Sequence, residues 1–243
     1  AIIETPADMF MRVVNAVSDV EKLYTKDPAE LEKTKKRFID LLFSGDFLPN
    51  SPTLMNAGRE MGLLSACFVL PIEDSIDSIF ETVKTTALIQ KAGGGTGFSF
   101  DKLRPTGDHI STSGGKTSGP ISFWKVLAET TNAIQQGAFR RGANMGLMSI
   151  THPDILKFII SKQDLNNFTN FNISVKITDE WMKCYHDSGK DPHIVTNTRT
   201  DISYVIPKNI DMKNYAIQDL LPDDAYLKDT SKKNTDVWTN EEI

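Results

Sequence analysis

The chain has 243 residues, 27 basic against 32 acidic, and a formal net charge of −5. Its 40% hydrophobic and 24% charged content excludes wholesale disorder, and the negative balance argues against a broad nucleic-acid surface and direct nucleic-acid binding. No run approaches the ~18 apolar residues of a membrane span, and no secretory signal precedes Pro6. The sequence opens on Ala1 rather than Met, so it reads as processed or cut from something longer.

A first helix is expected from Thr5-Pro6, with Phe10, Val13, Val14 and Val17 as its apolar stripe. Asp27-Pro28 opens a second, with Leu31, Phe38, Leu41 and Leu42 inward; its Lys33, Lys35, Lys36 and Arg37 read as a solvated face. Residues 48–58 read as a loop and Ser65–Leu70 as a short buried strand. Asp74-Ser75 caps a helix through Lys91, with Ile76, Ile79, Phe80, Val83 and Ala87 on one face. GGGTG at 93–97 breaks that helix and leads into a strand at 98–100. Residues 105–119 form a Gly/Ser/Thr loop with little to pack.

Pro120 opens a helix with Trp124, Leu127, Ala128 and Ile134 inward, followed by a polar loop over 135–144. Strands are expected at 145–150 and 172–177. Thr151 is expected to cap a short helix over 153–162, and Thr178 one containing Trp181 and Met182. From about Asp191, turn residues and charges dominate, so 191–243 reads as irregular and partly disordered alone. Strand–helix alternation over 60–180 predicts an α/β sheet with parallel crossovers.

Two cysteines, Cys67 and Cys184, are too few for a disulfide scaffold and fit a reducing, cytoplasmic setting. His109, His152, His186 and His193 are scattered, and Cys184, His186 and His193 read as polar surface residues. Cys184, His186 and His193 lack a fourth ligand, so no metal site is expected. The glycine run joins helix to strand, the reverse of phosphate-binding strand-to-helix loops, and is either a helix stop or a close approach of backbone to a ligand. The loop over 105–119 covers a ligand or is a plain linker. Arg140 and Arg141 pair with phosphate or are plain surface arginines. Cys67, from its apolar surroundings alone, is a buried core thiol.

Four stretches decide between these alternatives. NSPTLMNAG (50–58), LSACFVLP (64–71), AGGGTGF (92–98) and RRGANM (140–145), with STSGG (111–115) before SGP (118–120) as a looser match, resemble the large catalytic chain of ribonucleotide reductase. The wording is closest to the adenosylcobalamin-dependent class, and the resemblance covers about 4–190 clearly. It implies the first half of a ten-stranded α/β barrel after a helical segment, divided as 1–47, 48–190 and 191–243. It implies thiyl-radical reduction of ribonucleoside di- or triphosphates, with Cys67 as the first redox cysteine.

The resemblance also implies substrate contacts at Ser51, Ala66, Cys67, Ala92, Gly93 and Gly95. A deoxynucleoside triphosphate effector would meet Asp74, Lys91, Arg104 and Ile110. A specificity loop would carry Gln136, Arg140, Arg141 and Asn144. Partners by resemblance are the ribonucleotide, the effector, a thioredoxin-like reductant, a second copy in a homodimer and the rest of the barrel. The family's radical cysteine, catalytic glutamate and second redox cysteine match nothing here, and Cys184 matches no functional cysteine. A nucleotide-binding fragment, or one half of a split enzyme without activity of its own, is the alternative.

Overall fold

The computed structural model describes residues 3–111, 114–134, 142–164, 166–228 and 236–243. They fall into two compact units, Ala1–Phe68 with Lys91–Gly95, and Val69–Gln90 with Thr96–Ile243.

The first unit is helical. Helix α1 (Pro6–Ser18) starts at a capping box in which Thr5 Oγ1 accepts from Asp8 N at 3.2 Å and Asp8 Oδ2 accepts from Thr5 N at 3.0 Å. Helix α2 (Pro28–Ser44) is capped by Asp27 and stops at Gly45, whose φ of 82° only glycine adopts without strain. The expected loop at 48–58 contains a helix instead, α3 (Ser51–Asn56). Asn50 Oδ1 accepts from Thr53 N at 2.9 Å, and Pro52 sits in the first turn, where its missing N–H costs nothing. Val13, Val14, Leu42 and Ala57 form the core, with Phe10, Val17 and Phe38 against it. Arg12 fastens α1 to α3 by donating to the Leu54 and Ala57 carbonyls and to Glu4.

A four-stranded sheet is ordered β1 (Cys67–Leu70), β2 (Gly95–Ser99), β3 (Asn144–Ser149) and β4 (Phe171–Lys176), and apart from Cys67, Phe68 and Gly95 its residues belong to the second unit. The pairs β2–β3 and β3–β4 are parallel, as the alternation predicts. Strand β1 lies at the edge, and Cys67 and Val69 are exposed, so the expectation of a buried strand is wrong. Helices α4 (Ile76–Lys91), α5 (Pro120–Ile134), α6 (Ile155–Ile160) and α7 (Asp179–Ser188) intervene or follow. Trp124 is fully buried among Phe100, Phe158, Phe168 and Phe171 and stacks on Phe168 at 3.7 Å. Gly146 admits this cluster, because a Cβ there would stand 3.1 Å from Phe100.

Further expectations are corrected. Helix α4 buries Ile79, Thr82, Thr86 and Gln90, while Ile76 and Phe80 are exposed. The Thr82 and Thr86 hydroxyls donate to the Pro71, Ser78 and Thr82 carbonyls, which removes the penalty for burying them. Helix α6 is not capped by Thr151: Asp154 holds the cap position, and its N–H donates to His152 Nδ1 at 3.0 Å.

Residues after 191 are not irregular throughout. Strands β5 (Ile194–Thr196), β6 (Ser203–Val205) and β7 (Leu221–Pro222) form an antiparallel sheet, helix α8 (Asp223–Lys228) follows, and Val195, Val205 and Ile206 are fully buried. The segment 236–243 returns against them, with Trp238 N donating to Ile206 O and His193 N to Trp238 O.

His152 and His193 are buried, the second against the expectation of a surface residue. His152 Nδ1 accepts from Asp154 N, so Nε2 carries the proton and donates to Leu103 O at 2.8 Å, which fixes the neutral tautomer. His193 meets Asn240 and Ile150 O. Burial pushes both below the usual histidine range. The unfolded chain therefore takes up protons first as pH falls below about 6.5, and stability is lost from there down to the folded values. Each histidine contributes a slope of at most about 1.4 kcal/mol per pH unit. Urea denaturation of the chain at pH 7.5, 6.5 and 5.5 reads this out; a flat midpoint would show that the histidines titrate alike folded and unfolded.

Candidate functional site

The first unit gathers all six residues of the expected substrate set. Ser51 is the first residue of α3, whose backbone is held by the Asn50 cap. Thr53 Oγ1 donates to Leu64 O at 2.7 Å, and Asn56 Nδ2 to Leu63 O at 2.9 Å, which ties α3 to the chain entering Cys67. Gly95 N donates to Ala66 O at 2.7 Å and joins that stretch to the glycine run. The Cys67 thiol is free and exposed. That overturns the core-thiol reading: β1 is an edge strand, and Cys67 opens it.

Gly93 has φ of 91°, so it ends α4 as a left-handed helix stop. A Cβ there would meet nothing within 4 Å, so the same residue stops the helix and leaves open space beside its backbone. Ala92 and Gly95 flank it.

Two members of the expected effector set meet in the second unit. Arg104 Nε donates to Asp74 Oδ2 at 2.6 Å and Arg104 N to Asp74 Oδ1 at 3.1 Å. Its Nη1 donates to His109 O at 3.2 Å. Both side chains stay about a quarter exposed. Ile110 lies in a folded-back turn, donating to Gly115 O and accepting from Gly114 N. Lys91 is the exposed last residue of α4. Gln136, Arg140 and Arg141 lie outside the described residues; Asn144, the first residue of β3, is buried.

The described parts of the loop, 105–111 and 114–119, are tied down where composition predicts little packing. Gly107 N donates to Thr117 O, Thr117 N to Asp108 O, and His109 bridges Lys116. Asp108, 6% exposed, anchors the base by accepting from Arg199 Nη2 at 2.6 Å and Nε at 2.8 Å, and from Asn197. Burial pushes this carboxyl up, but the hydrogen bonds from Arg199, Asn197 and the His109 backbone outweigh it and hold it below the usual range. Sequence reasoning missed this anchor. Its partners are about 90 residues apart, and no local pattern marks either.

The first unit thus presents an exposed thiol next to a stretch bonded to the glycine run, and the second an acid–guanidinium pair near an anchored turn. The sequence model described as "Ribonucleotide reductase, barrel domain" matches residues 65–236, and that described as "Ribonucleotide reductase, all-alpha domain" matches residues 1–62. The chain belongs to the large-subunit ribonucleotide reductase family.

It is 58% identical over 146 residues to the vitamin B12-dependent ribonucleoside-diphosphate reductase of Thermoplasma acidophilum, covering 60% of this chain and 19% of that protein. It is 41% identical over 198 residues to the enzyme of the same description from Mycobacterium tuberculosis, covering 81% and 28%. The ribonucleoside-diphosphate reductase large subunit of Trypanosoma brucei brucei is 32% identical over 165 residues, covering 67% and 18%. The chain thus spans less than a third of the length of these relatives. Among the described residues no helix is long and apolar enough to cross a membrane.

Proposed function

We propose that this chain forms part of a ribonucleotide reductase, supplying one redox cysteine, part of the substrate site and the effector site that sets substrate choice. The observation that carries the reading is the exposed Cys67 thiol at the head of β1, next to Ala66, whose carbonyl is bonded to the glycine run. In this reading the sheet opens a ten-stranded barrel, divided as 1–47, 48–190 and 191–243. A thiyl radical on a cysteine that is not among these 243 residues takes a hydrogen from the ribose and returns it once the sugar has been reduced. Cys67 and a second thiol then supply two electrons and two hydrogens. The C2′–O bond breaks, a C2′–H bond forms, the hydroxyl leaves as water, and the thiols become a disulfide. A thioredoxin-like dithiol restores them by exchange. Ser51, Ala66, Ala92, Gly93 and Gly95 hold the ribonucleotide through backbone groups and one hydroxyl.

The relatives' descriptions support adenosylcobalamin as the radical source. The described residues do not show a fit to it: both buried histidines spend both ring nitrogens on internal hydrogen bonds, so neither is free to contact the cofactor. No residue here is assigned to hold the cofactor, and no step is routed through it.

The effector reading gives Asp74, Lys91, Arg104 and Ile110 to a deoxynucleoside triphosphate. Arg104 and Lys91 offer positive charge to phosphate, and Asp74 offers an acceptor to a sugar hydroxyl. Asp74 and Arg104 are already paired, so the pair pre-orients the guanidinium. Ile76, Phe80 and Leu88 are 60%, 49% and 59% exposed along α4, an apolar stripe that supports a homodimer partner on that helix. Arg104→Ala in the full-length reductase is expected to weaken effector binding by about 1.5–3 kcal/mol, the scale of a charge-assisted contact. Calorimetry with dATP, dGTP and dTTP measures it; unchanged affinity for all three would remove Arg104 from the effector site.

A further inference from the structure

The turn joining β5 to β6 is built around Asn197, which is 2% exposed. Asn197 N donates to Ile202 O at 2.9 Å and Asp201 N to Asn197 O at 2.9 Å, which closes the turn. Asn197 Oδ1 accepts from Arg199 N at 3.0 Å, so the same side chain fixes the backbone from which Arg199 leaves the turn. Asn197 Nδ2 donates to Asp108 Oδ2 at 3.2 Å, beside the two bonds from the Arg199 guanidinium. His109 N adds a fourth hydrogen bond to this carboxylate, at 2.8 Å from Oδ1. The Asp108 main-chain carbonyl accepts from Thr117 N at 2.9 Å.

What this clamp holds is the carbonyl next along the chain. His109 O accepts from Arg104 Nη1 at 3.2 Å, while Asp74 Oδ2 accepts from Arg104 Nε at 2.6 Å. A guanidinium is planar, so fixed acceptors on two of its nitrogens set the whole plane. Arg104 Nη2 meets no acceptor among the described residues and is left to a ligand. The Asp74 charge also acts on Arg199, so the two pairs form one cluster of two carboxylates and two guanidiniums. Core packing does not require Arg199, whose side chain is 38% exposed.

We propose that Arg199 is a positioning residue for the effector site: by clamping Asp108 it fixes the His109 carbonyl, and through it the plane in which Arg104 meets a triphosphate. The inference rests on the reading of Asp74 and Arg104 as a deoxynucleoside triphosphate site. Without the clamp, Arg104 spends only a fraction of its time in the binding orientation, and the apparent affinity falls by that fraction.

The test measures dATP, dGTP and dTTP binding by calorimetry in the full-length reductase. The variants are Arg199→Met, Asp108→Asn, Arg104→Ala, and Arg199→Met combined with Arg104→Ala. Arg199→Met keeps the stem and removes the fork. Asp108→Asn keeps the shape and removes the charge from the other side, so the test stands if one of the two does not fold. Both are expected to weaken binding at least about fivefold and to leave the rate at saturating effector within about twofold of wild type. In the Arg104→Ala background, Arg199→Met is expected to add less than about twofold, because the clamp then has nothing to position. An ion pair that only held the fold would lower the urea midpoint and leave the affinities alone.

Affinities within about twofold of wild type in both Arg199→Met and Asp108→Asn would overturn the proposal alone. So would a fully additive effect of Arg199→Met on top of Arg104→Ala, since Arg199 would then act by a route of its own. Wild-type affinity in Arg104→Ala, or no binding of any of the three nucleotides by the wild-type enzyme, would overturn it together with the effector reading.

Discussion

Cys67→Ser in the full-length reductase is expected to abolish multiple turnover with a thioredoxin-like reductant, by roughly a thousandfold or more, the scale on which loss of a covalently acting group is felt. The argument is one of electron count. Replacing a ribose hydroxyl by hydrogen needs two electrons, and two thiols becoming a disulfide supply them. A serine hydroxyl cannot form that bond, so the cycle stops. Cys67 is exposed at the start of an edge strand, where both substrate and an external dithiol can reach it. Cys184 is also exposed, on α7, so exposure alone does not separate the two. Cys184→Ser is expected to retain near-wild-type turnover, because of the two cysteines only Cys67 adjoins the Ala66–Gly95 junction. The 243 residues on their own are expected to show no turnover, because two cysteines cannot provide both a redox pair and a separate radical thiol. Comparable turnover in Cys67→Ser and wild type would sink the assignment, and the reverse ranking of the two variants would mean that the cysteines had been exchanged.

The parts of the fold legible in the sequence are those set by short-range chemistry. Thr5-Pro6, Asp27-Pro28 and Thr178 each start a helix, because a side-chain oxygen, joined in the first two by a proline, fixes the first turn whatever lies beyond it. Strands β3 and β4 fall within one residue of their expected positions, and their parallel pairing follows from the helices between strands. Helix α3 was hidden because Asn50, Ser51, Pro52 and Asn56 are turn formers as well as cap formers.

What depends on distant partners was not legible. Helix α4 turns its threonines inward because carbonyls within reach accept their hydroxyls, which no hydrophobic period records. The second sheet has strands of two or three residues, too short to show alternation, and its burial comes from the returning segment 236–243. The site divides in the same way. The motif residues around Cys67 and Gly93 are contiguous and readable. The Asp108–Arg199 anchor joins residues about 90 positions apart and carries no local signature.

The same long-range chemistry sets the largest stability effect expected in the second unit. Asp154 is 1% exposed and Lys157 6%, and they meet at 2.7 Å between Oδ1 and Nζ. Asp154 Oδ2 also accepts from Thr106 N at 2.7 Å and Thr106 Oγ1 at 3.2 Å. The Lys157 ammonium stands 4.3 Å from the centre of the Tyr215 ring, and the Tyr215 hydroxyl donates to Pro153 O. Burial, and then the Asp154 charge, hold that phenol well above its usual pKa, so it stays neutral at any working pH.

The pair thus binds α6 to the loop at Thr106 and to the segment carrying Tyr215. Taking one charge away leaves the other in a dry site. Asp154→Asn keeps the shape and still accepts from Thr106, but strands the ammonium; the expected cost is about 3–5 kcal/mol. Lys157→Met should cost less, because the carboxylate keeps both Thr106 hydrogen bonds while the methionine fills the stem's volume. The double variant should recover much of the Asp154→Asn loss, since the penalty lies in the unpaired charge rather than in the lost pair. Urea unfolding of the four proteins gives the cycle. A double variant no more stable than Asp154→Asn would show that the ion pair does not set the stability of this junction.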